Sequence, residues 1–259
     1  MKLCVLASGS SGNCTFISTG STRILIDAGL SAKQTVERLA VIGERIEEVN
    51  AICVTHEHGD HIKGIRVLQK KYGIPVYANA GTLDGIRNAR QGGDVVSRQF
   101  TTGSAFDIGE LTLEPFSVPH DALEPVGFVA QFGARRIGMA TDVGIVTSLL
   151  REKMRSCEVI VIEANHDEAL LHEAPRPWSL KQRILSNQGH LSNRASAGLI
   201  GEIAGERLTH LFLAHLSGDC NSPLHARRAF ESVLSEGGHH HVNICMTGAS
   251  AVSEILELE

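Results

Sequence analysis

The chain has 259 residues, of which 42% are hydrophobic, and a formal net charge of −5. This is enough apolar sequence to bury the core of one large domain, and no Pro-, Ser- or Gly-rich stretch marks a linker, so we predict a single domain over residues 1–259. The negative charge and the lack of a long basic run argue against a protein that binds tightly along a duplex.

The predicted strands crowd the first half of the chain, and helical patterns dominate later. Apolar, β-branched runs predict strands at residues 3–7, 23–27, 52–55, 111–118, 126–132, 136–140, 159–162 and 208–214. Helices are predicted at residues 147–155, 180–186, 194–204 and 223–235. The glycine-rich segment 8–13 lacks the lysine of a phosphate-binding P-loop, and a tight hairpin is the favoured interpretation.

The segment at residues 55–61 reads THEHGDH, and four of its side chains can bind a divalent metal. Side chains alternate in an extended stretch, so His56 and His58 point the same way and can hold one ion. Asp60 and His61 open the next predicted helix and can face a second ion. The alternative is a polar turn whose histidines only form hydrogen bonds, which is the usual explanation of a single His but not of four ligands at this spacing.

Further candidate ligands follow later apolar runs, where open α/β architectures place their sites. These candidates are His120, Asp142 and His215, and each of them alone could be an ordinary polar residue at a strand end. As a set with the first loop they complete two sites. His56, His58 and His120 would hold one ion, Asp60, His61 and His215 the other, and Asp142 would bridge them.

This order of ligands resembles the metallo-β-lactamase fold superfamily, whose signature is an HxHxDH loop followed by His, Asp and His on successive strand ends. The likeness covers essentially the whole chain and is strongest to the YycJ-like branch, also called WalJ. It is carried by the phrases LASGSSGNCTFISTGSTRILIDAGLS, VTHEHGDHIKG, VPHDALEPVGF, IEANHD, GHLSN and AHLS. One departure is GDCN after His215, where the branch has a glutamate and paired asparagines, so the role of that loop in substrate binding stays open.

The resemblance implies an α/β fold, a four-layer αββα sandwich built from two similar halves that meet near residues 118–135. It implies a metal-dependent phosphodiesterase that acts on nucleic acid, with DNA favoured over RNA, and within the branch an exonuclease working from 5′ ends. The cofactors would be two divalent metal ions, zinc or manganese, although iron also suits these ligands.

Residues outside the metal ligands decide the reaction class. The resemblance pairs Glu163, at the end of VIVIE, with His190 in GHLSN, and implies that His190 protonates the leaving oxygen. Because a sugar alkoxide is a poor leaving group, such an acid is worth roughly a hundred- to ten-thousandfold in rate. Asp60, Glu163 and His190 are therefore the predicted catalytic residues.

Substrate binding is predicted for Ser192, Asn193 and Ser217. Ser192 or Asn193 would cap the helix after His190, whose free backbone donors form a phosphate site; the alternative is a loop with an ordinary cap. Asp27 is predicted to accept a proton from a ligating histidine, with turn formation beside Gly29 as the competing explanation. His166 belongs to the resemblance but has no assigned role.

Two rival functions remain open alongside RNA processing. A small-ester hydrolase, such as a thioesterase or a lactonase, would use the same ligands. A noncatalytic metal-stabilised domain is the other rival, and the intact ligand set argues against it.

Six cysteines without a CxxC pair predict reduced thiols and a cytoplasmic protein, and no apolar stretch reaches membrane length. The histidine run at 239–241 is interpreted as a solvated loop.

Overall fold

The computed structural model describes residues 1–89 and 95–258. In these ranges fourteen strands form two seven-stranded sheets. The strands are β1 (Lys2–Ala7), β2 (Cys14–Ser18), β3 (Arg23–Ile26), β4 (Ala51–Cys53), β5 (Val76–Ala78), β6 (Ser97–Gln99), β7 (Phe106–Ile108), β8 (Leu111–Ser117), β9 (Val126–Phe132), β10 (Arg135–Ala140), β11 (Val159–Glu163), β12 (His210–Ala214), β13 (Asn243–Met246) and β14 (Leu256–Glu257). The helices are α1 (Ala32–Val41), α2 (Gly59–Ile62), α3 (Ile65–Tyr72), α4 (Ala80–Asn88), α5 (Ser148–Arg155), α6 (Glu168–Glu173), α7 (Trp178–Ile184), α8 (Asn193–Ile203) and α9 (Pro223–Glu236).

Both sheets follow one plan, an antiparallel part that continues into a parallel part. The first sheet has the order β14-β1-β2-β3-β4-β5-β6 and becomes parallel from β3 onward. The second has the order β13-β12-β11-β10-β9-β8-β7 and becomes parallel from β10 onward. The similar halves are therefore present, but they meet between β6 and β7 and not near residues 118–135, because β7 and β8 already pair within the second sheet.

Most buried apolar side chains form three layers, which makes the fold a four-layer αββα sandwich as predicted. One layer lies between the two sheets, and each of the others lies between a sheet and its helices. Alternation along a strand divides the residues: Leu3 and Val5 face the opposite sheet, whereas Cys4 and Leu6 face the helices. Strands buried on both faces read as continuous apolar runs, which is why their sequence signal was strong.

All eight predicted strands and four predicted helices are confirmed, with ends that differ by at most two residues. The hairpin at residues 8–13 is also confirmed, since β1 and β2 pair antiparallel on either side of it. The helix predicted to open at Asp60 and His61 is α2, but the expectation of a strand-rich first half missed α1, α3 and α4. None of the described helices is both long and apolar enough to cross a membrane.

Candidate metal centre

The seven predicted ligands lie together where the carboxyl ends of the central strands of both sheets meet. They are carried by the segment after β4, by α2, and by the segments after β8, β10 and β12. His56, His58 and His120 each place one ligand atom within 4.8 Å of the others, and so do Asp60, His61 and His215. Asp142 forms a further such group with His56 and His61, which places it between the first two groups. The structure thus brings the predicted set together in the predicted arrangement.

Four of the histidines have one ring nitrogen fixed by a hydrogen-bond acceptor, which leaves the other nitrogen for the centre. The acceptors are the backbone oxygen of Asp121 for His58 at 3.2 Å, that of Gly189 for His120 at 3.1 Å, Asp27 for His61 at 2.8 Å and Glu163 for His215 at 2.8 Å. Metal-bound histidines usually donate their second nitrogen in this way.

Two histidine nitrogens at the middle of the cluster have no hydrogen-bond partner among the described residues. Nε2 of His56 and Nε2 of His215 are buried and make no hydrogen bond within the described residues. A buried nitrogen without a partner costs about 1 to 3 kcal/mol, so such atoms call for an explanation. Burial also holds the pKa of His56 well below its usual value, which keeps the ring neutral, the form that binds a metal. Nitrogen and carboxylate ligands in this arrangement fit divalent metal ions.

Acidic neighbours dominate the other half of the cluster. Burial opposes protonation of His61, but Asp27 and Asp142 outweigh it and raise the pKa of His61 well above its usual value. Burial likewise opposes ionisation of Asp142, yet His215 and His61 hold its pKa well below the usual value. Asp142 is therefore a carboxylate at neutral pH, the form that its predicted bridging role would require.

The turn after β3, which carries Asp27 and Gly29, packs against α2. Asp27 accepts hydrogen bonds from His61 Nδ1 and from both the backbone N–H and the hydroxyl of Thr55, at 2.8 to 2.9 Å. Gly29 approaches α2 so closely that a Cβ would lie 1.5 Å from the oxygen of Asp60. Both explanations offered for this turn therefore hold, because Asp27 orients a ligand histidine and Gly29 permits the close packing.

Glu163 ends β11 and lies fully buried behind the cluster. Its Oε1 accepts from Nδ1 of His190 and from Nδ1 of His215, both at 2.8 Å. Its Oε2 accepts from the backbone N–H groups of Val143 and Leu191. Burial opposes its ionisation, but His190 and His215 lower the pKa of Glu163 to about 2. The predicted pair of Glu163 and His190 is present, and the same carboxylate also orients His215.

A domain match covers most of this chain. The beta-lactamase superfamily domain matches residues 22–211, and the aligned segment contains six of the seven clustered ligands. The chain belongs to this superfamily.

Relatives within the superfamily share far more of the sequence than the ligands. The chain is 38% identical over 237 residues to exodeoxyribonuclease YycJ of Bacillus anthracis, which covers 90% of this chain and 89% of that protein. It is 39% identical over 223 residues to exodeoxyribonuclease WalJ of Streptococcus pneumoniae, covering 85% and 83%. The resemblance to the YycJ-like branch is thus confirmed.

Solved structures of the superfamily share the fold at low identity. The metallo-beta-lactamase fold protein YhfI of Bacillus subtilis gives a TM-score of 0.75 at 15% identity and covers 99% of both chains. Human short-form tRNase Z gives 0.68 at 16% identity and covers 100% of both chains. These likenesses concern the fold alone and agree with the αββα architecture.

The residues predicted to bind substrate lie in two places: Ser192 and Asn193 at the start of α8, and Ser217 in a pocket. Ser192 caps α8: its hydroxyl accepts from the N–H of Ala195 and donates to Glu168. The Asn193 side chain exchanges two hydrogen bonds with Asn221, and the backbone N–H of Asn193 donates to the backbone oxygen of His166. Substrate binding by these two residues stays a prediction, and these contacts favour the ordinary cap.

Ser217 lines a pocket beside His190. The pocket has a volume of about 150 Å³ and also receives Asn165, Arg176 and Arg183. Nothing in the spacing of these two arginines indicated that the segment from 176 to 184 folds over the site. Ser217 accepts a hydrogen bond from Arg176 at 3.5 Å.

Two asparagines and His166 complete the surroundings of the centre. Asn13, from the hairpin after β1, contacts His61 Nε2 at 3.0 Å and Asp60 at 3.3 Å. Asn165 donates to the backbone oxygen of His215. His166 is buried and its backbone pairs with Ser192, so it ties the end of β11 to α8. The signal that could have found Asn13 was its place in the phrase SGSSGN, which we interpreted only as a turn.

Proposed function

We propose that the chain is a metal-dependent phosphodiesterase that hydrolyses nucleic acid, and that it degrades DNA from 5′ ends. The observation that carries the proposal is the Glu163 and His190 pair beside the ligand cluster, because a positioned acid serves a poor leaving group such as a sugar alkoxide. The chain is 38 and 39% identical to two proteins named exodeoxyribonucleases, which supports the same assignment.

Two divalent ions, zinc or manganese in this proposal, would be held by the seven ligands and would supply an acidified water and positive charge at the attacking and leaving oxygens. Asp60 would serve as both ligand and hydrogen-bond acceptor for the attacking water. Burial opposes ionisation of Asp60, but His215 and His61 hold its pKa below the usual value, so it remains an acceptor at neutral pH.

His190 supplies the proton on the opposite side of the reaction. Glu163 accepts from Nδ1, which leaves Nε2 as the nitrogen that meets substrate. Burial opposes protonation of His190, but Glu163 raises its pKa above the usual value, which favours the protonated ring that can act as an acid. Nε2 donates its proton to the 3′ oxygen as the bond from phosphorus to that oxygen breaks.

We also propose that residues 1–259 form one hydrolase domain and that the protein works in the cytoplasm. All six cysteines are free and buried, which suits a reducing compartment. The three apolar layers share the same two sheets, which supports a single folding unit.

The test is cleavage of single- and double-stranded DNA and RNA by protein loaded with manganese or zinc, with His190→Ala alongside. We expect DNA cleavage to fall roughly a hundred- to ten-thousandfold in the variant while its metal content stays that of the wild type. His240→Ala, a change of an exposed histidine in a distant loop, is the matched control and should cleave normally. Hydrolysis of a thioester or a lactone that ignores the loss of His190, without cleavage of any polymer, would assign the protein to the small-ester class.

A further inference from the structure

The pocket beside His190 is not used by the metal ligands. Its volume of about 150 Å³ is well below the range of about 300 to 1,000 Å³ that is typical of pockets enclosing a drug-sized ligand. His190 and Gly189 form the side nearest the centre, and Ser10 and Ser217 add hydroxyl groups. The space is small and polar, which suits a phosphate group better than a base with its sugar.

Two arginines from one segment reach this pocket. Arg176 lies between α6 and α7, and Arg183 lies on α7. Arg176 uses Nη2 to contact Asp219 at 2.9 Å, and Arg183 uses Nε to contact Asp121 at 2.6 Å. A guanidinium has five N–H donors, so within the described part of the chain most donors of both groups have no protein acceptor.

The carboxylate partners do not block an anion. Each ion pair has one well-exposed member: the side chains of Arg176 and Asp219 are 25% and 69% exposed, and those of Arg183 and of Asp121, which also lines the pocket, are 60% and 28% exposed. Ion pairs with this much solvent contact are worth about 1 kcal/mol or less. A phosphate that offers several oxygens to two guanidinium groups forms stronger, bidentate bonds and can displace them.

We propose that this pocket binds the 5′-terminal phosphate of the substrate through Arg176 and Arg183; the inference rests on the proposed function. His190 protonates the departing 3′ oxygen, so the leaving nucleotide must lie on the side of His190. In an exonuclease that works from a 5′ end, the leaving nucleotide is the terminal one. Its own 5′ phosphate then extends past His190 into the pocket.

The charge of that group favours two arginines. A terminal phosphomonoester carries about −1.5 to −2 charges at pH 7, whereas a phosphodiester within the chain carries one. The pocket is therefore expected to select DNA with a 5′ phosphate over DNA with a 5′ hydroxyl. That preference would show that the terminal phosphate, and not an internal phosphodiester, binds in the pocket.

The test compares kcat/KM for one oligonucleotide carrying either a 5′ phosphate or a 5′ hydroxyl. We expect the metal-loaded wild type to prefer the phosphate roughly ten- to a hundredfold, the size of a charge-assisted hydrogen bond. Arg176→Gln and Arg183→Gln should each reduce this preference toward equality. Arg194→Gln is the matched control, since Arg194 is 84% exposed on α8 and pairs with Glu168, and its preference should equal that of the wild type.

Further measurements keep the outcome clear. Asp121 adjoins His120, so the metal content and the thermal unfolding of each arginine variant are measured and must match the wild type. Where Arg183→Gln fails this check, Arg183→Lys replaces it and should lose part of the preference. Equal cleavage of both ends by the wild type, or an unchanged preference in folded, metal-loaded arginine variants, overturns the inference and leaves the proposed function standing. A wild type that cleaves no nucleic acid overturns both.

Discussion

At the residue scale, one buried oxygen organises two histidines of the site. Glu163 Oε1 accepts from His190 and from His215, and Glu163 Oε2 is occupied by two backbone N–H groups. No acceptor of this carboxylate is left for substrate. Glu163 was predicted as a catalytic residue, and these contacts favour a positioning role, in which it fixes the Nδ1–H tautomer of both rings.

Glu163→Gln is expected to weaken metal binding and cleavage together. The amide keeps the size of the side chain but loses the negative charge that two Nδ1–H donors share. Loss of such a partner typically costs about 10- to 100-fold in metal affinity or activity. Metal titration and single-turnover cleavage would measure both effects, with Glu236→Gln on the exposed face of α9 as the control. Normal metal affinity in the variant would show that His215 does not depend on Glu163.

The ligand set was predictable from sequence because its side chains are rare, ordered and placed after apolar runs. The groups that orient them were harder to see. His58 and His120 donate to the backbone oxygens of Asp121 and Gly189, and every residue has such an oxygen. Asp27 and Glu163, both side-chain acceptors at strand ends, left a signal, although Glu163 was predicted as the partner of His190 and not of His215. Pocket residues such as Arg176 depend on how a loop folds, which spacing does not encode.

At the element scale, three strand ends turn sharply into the site. Asp27, Asp142 and His215 follow β3, β10 and β12 with φ of 62°, 58° and 53°, and no other described non-glycine residue has a positive φ. Left-handed backbone costs a residue with a Cβ about 1 to 3 kcal/mol and is concentrated at functional sites. Here all three strained residues belong to the candidate centre, so the strain serves to aim their side chains.

Ser192→Ala tests whether that residue is a cap or a substrate contact. Its hydroxyl satisfies the N–H of Ala195 at the start of α8, and removal of such a cap costs about 1 kcal/mol. For a chain of this size that lowers Tm by about 2 to 4 °C. Thermal unfolding would show the shift, and the contacts favour an unchanged KM for DNA. A raised KM with an unchanged Tm would instead establish the predicted substrate role.

Three helices of the first half, α1, α3 and α4, escaped prediction because they are short or weakly patterned. Within α3 only Ile65 and Leu68 are buried, which is too few to establish a helical period. For α1 a signal existed: Ser31 and Gln34 form a capping box, a recognisable start that the strand-rich pattern around it obscured. Four of the five helices described in the second half were found, and α9 shows why, with the apolar face of Ala226, Phe230 and Leu234, whereas the six-residue α6 was missed.

At the scale of the whole molecule, the centre joins the two sheets. The segment after β4 contributes four ligands from the first sheet, and the segments after β8, β10 and β12 contribute the rest from the second. Any ion held there connects both halves of the sandwich, and unfolding would have to release it.

Metal removal is therefore expected to destabilise the whole fold. A ligand at one hundred times its Kd stabilises the native state by about 2.7 kcal/mol. Chelation should lower Tm by several degrees, and manganese or zinc added back should restore it in a concentration-dependent way, as calorimetry would show. Asp142→Ala removes the carboxylate predicted to bridge the two ions and should abolish most of the recovery. Identical Tm values with and without metal would contradict a centre that spans both sheets.

The most direct test of the central claim is to incubate the metal-loaded protein with DNA that carries a label at either its 5′ end or its 3′ end. Stepwise cleavage from the 5′ end predicts that a 5′ label is released at once on a mononucleotide, while a 3′ label passes through a ladder of shortening strands. Intact DNA under both labels, with turnover of a thioester or a lactone instead, would contradict the account.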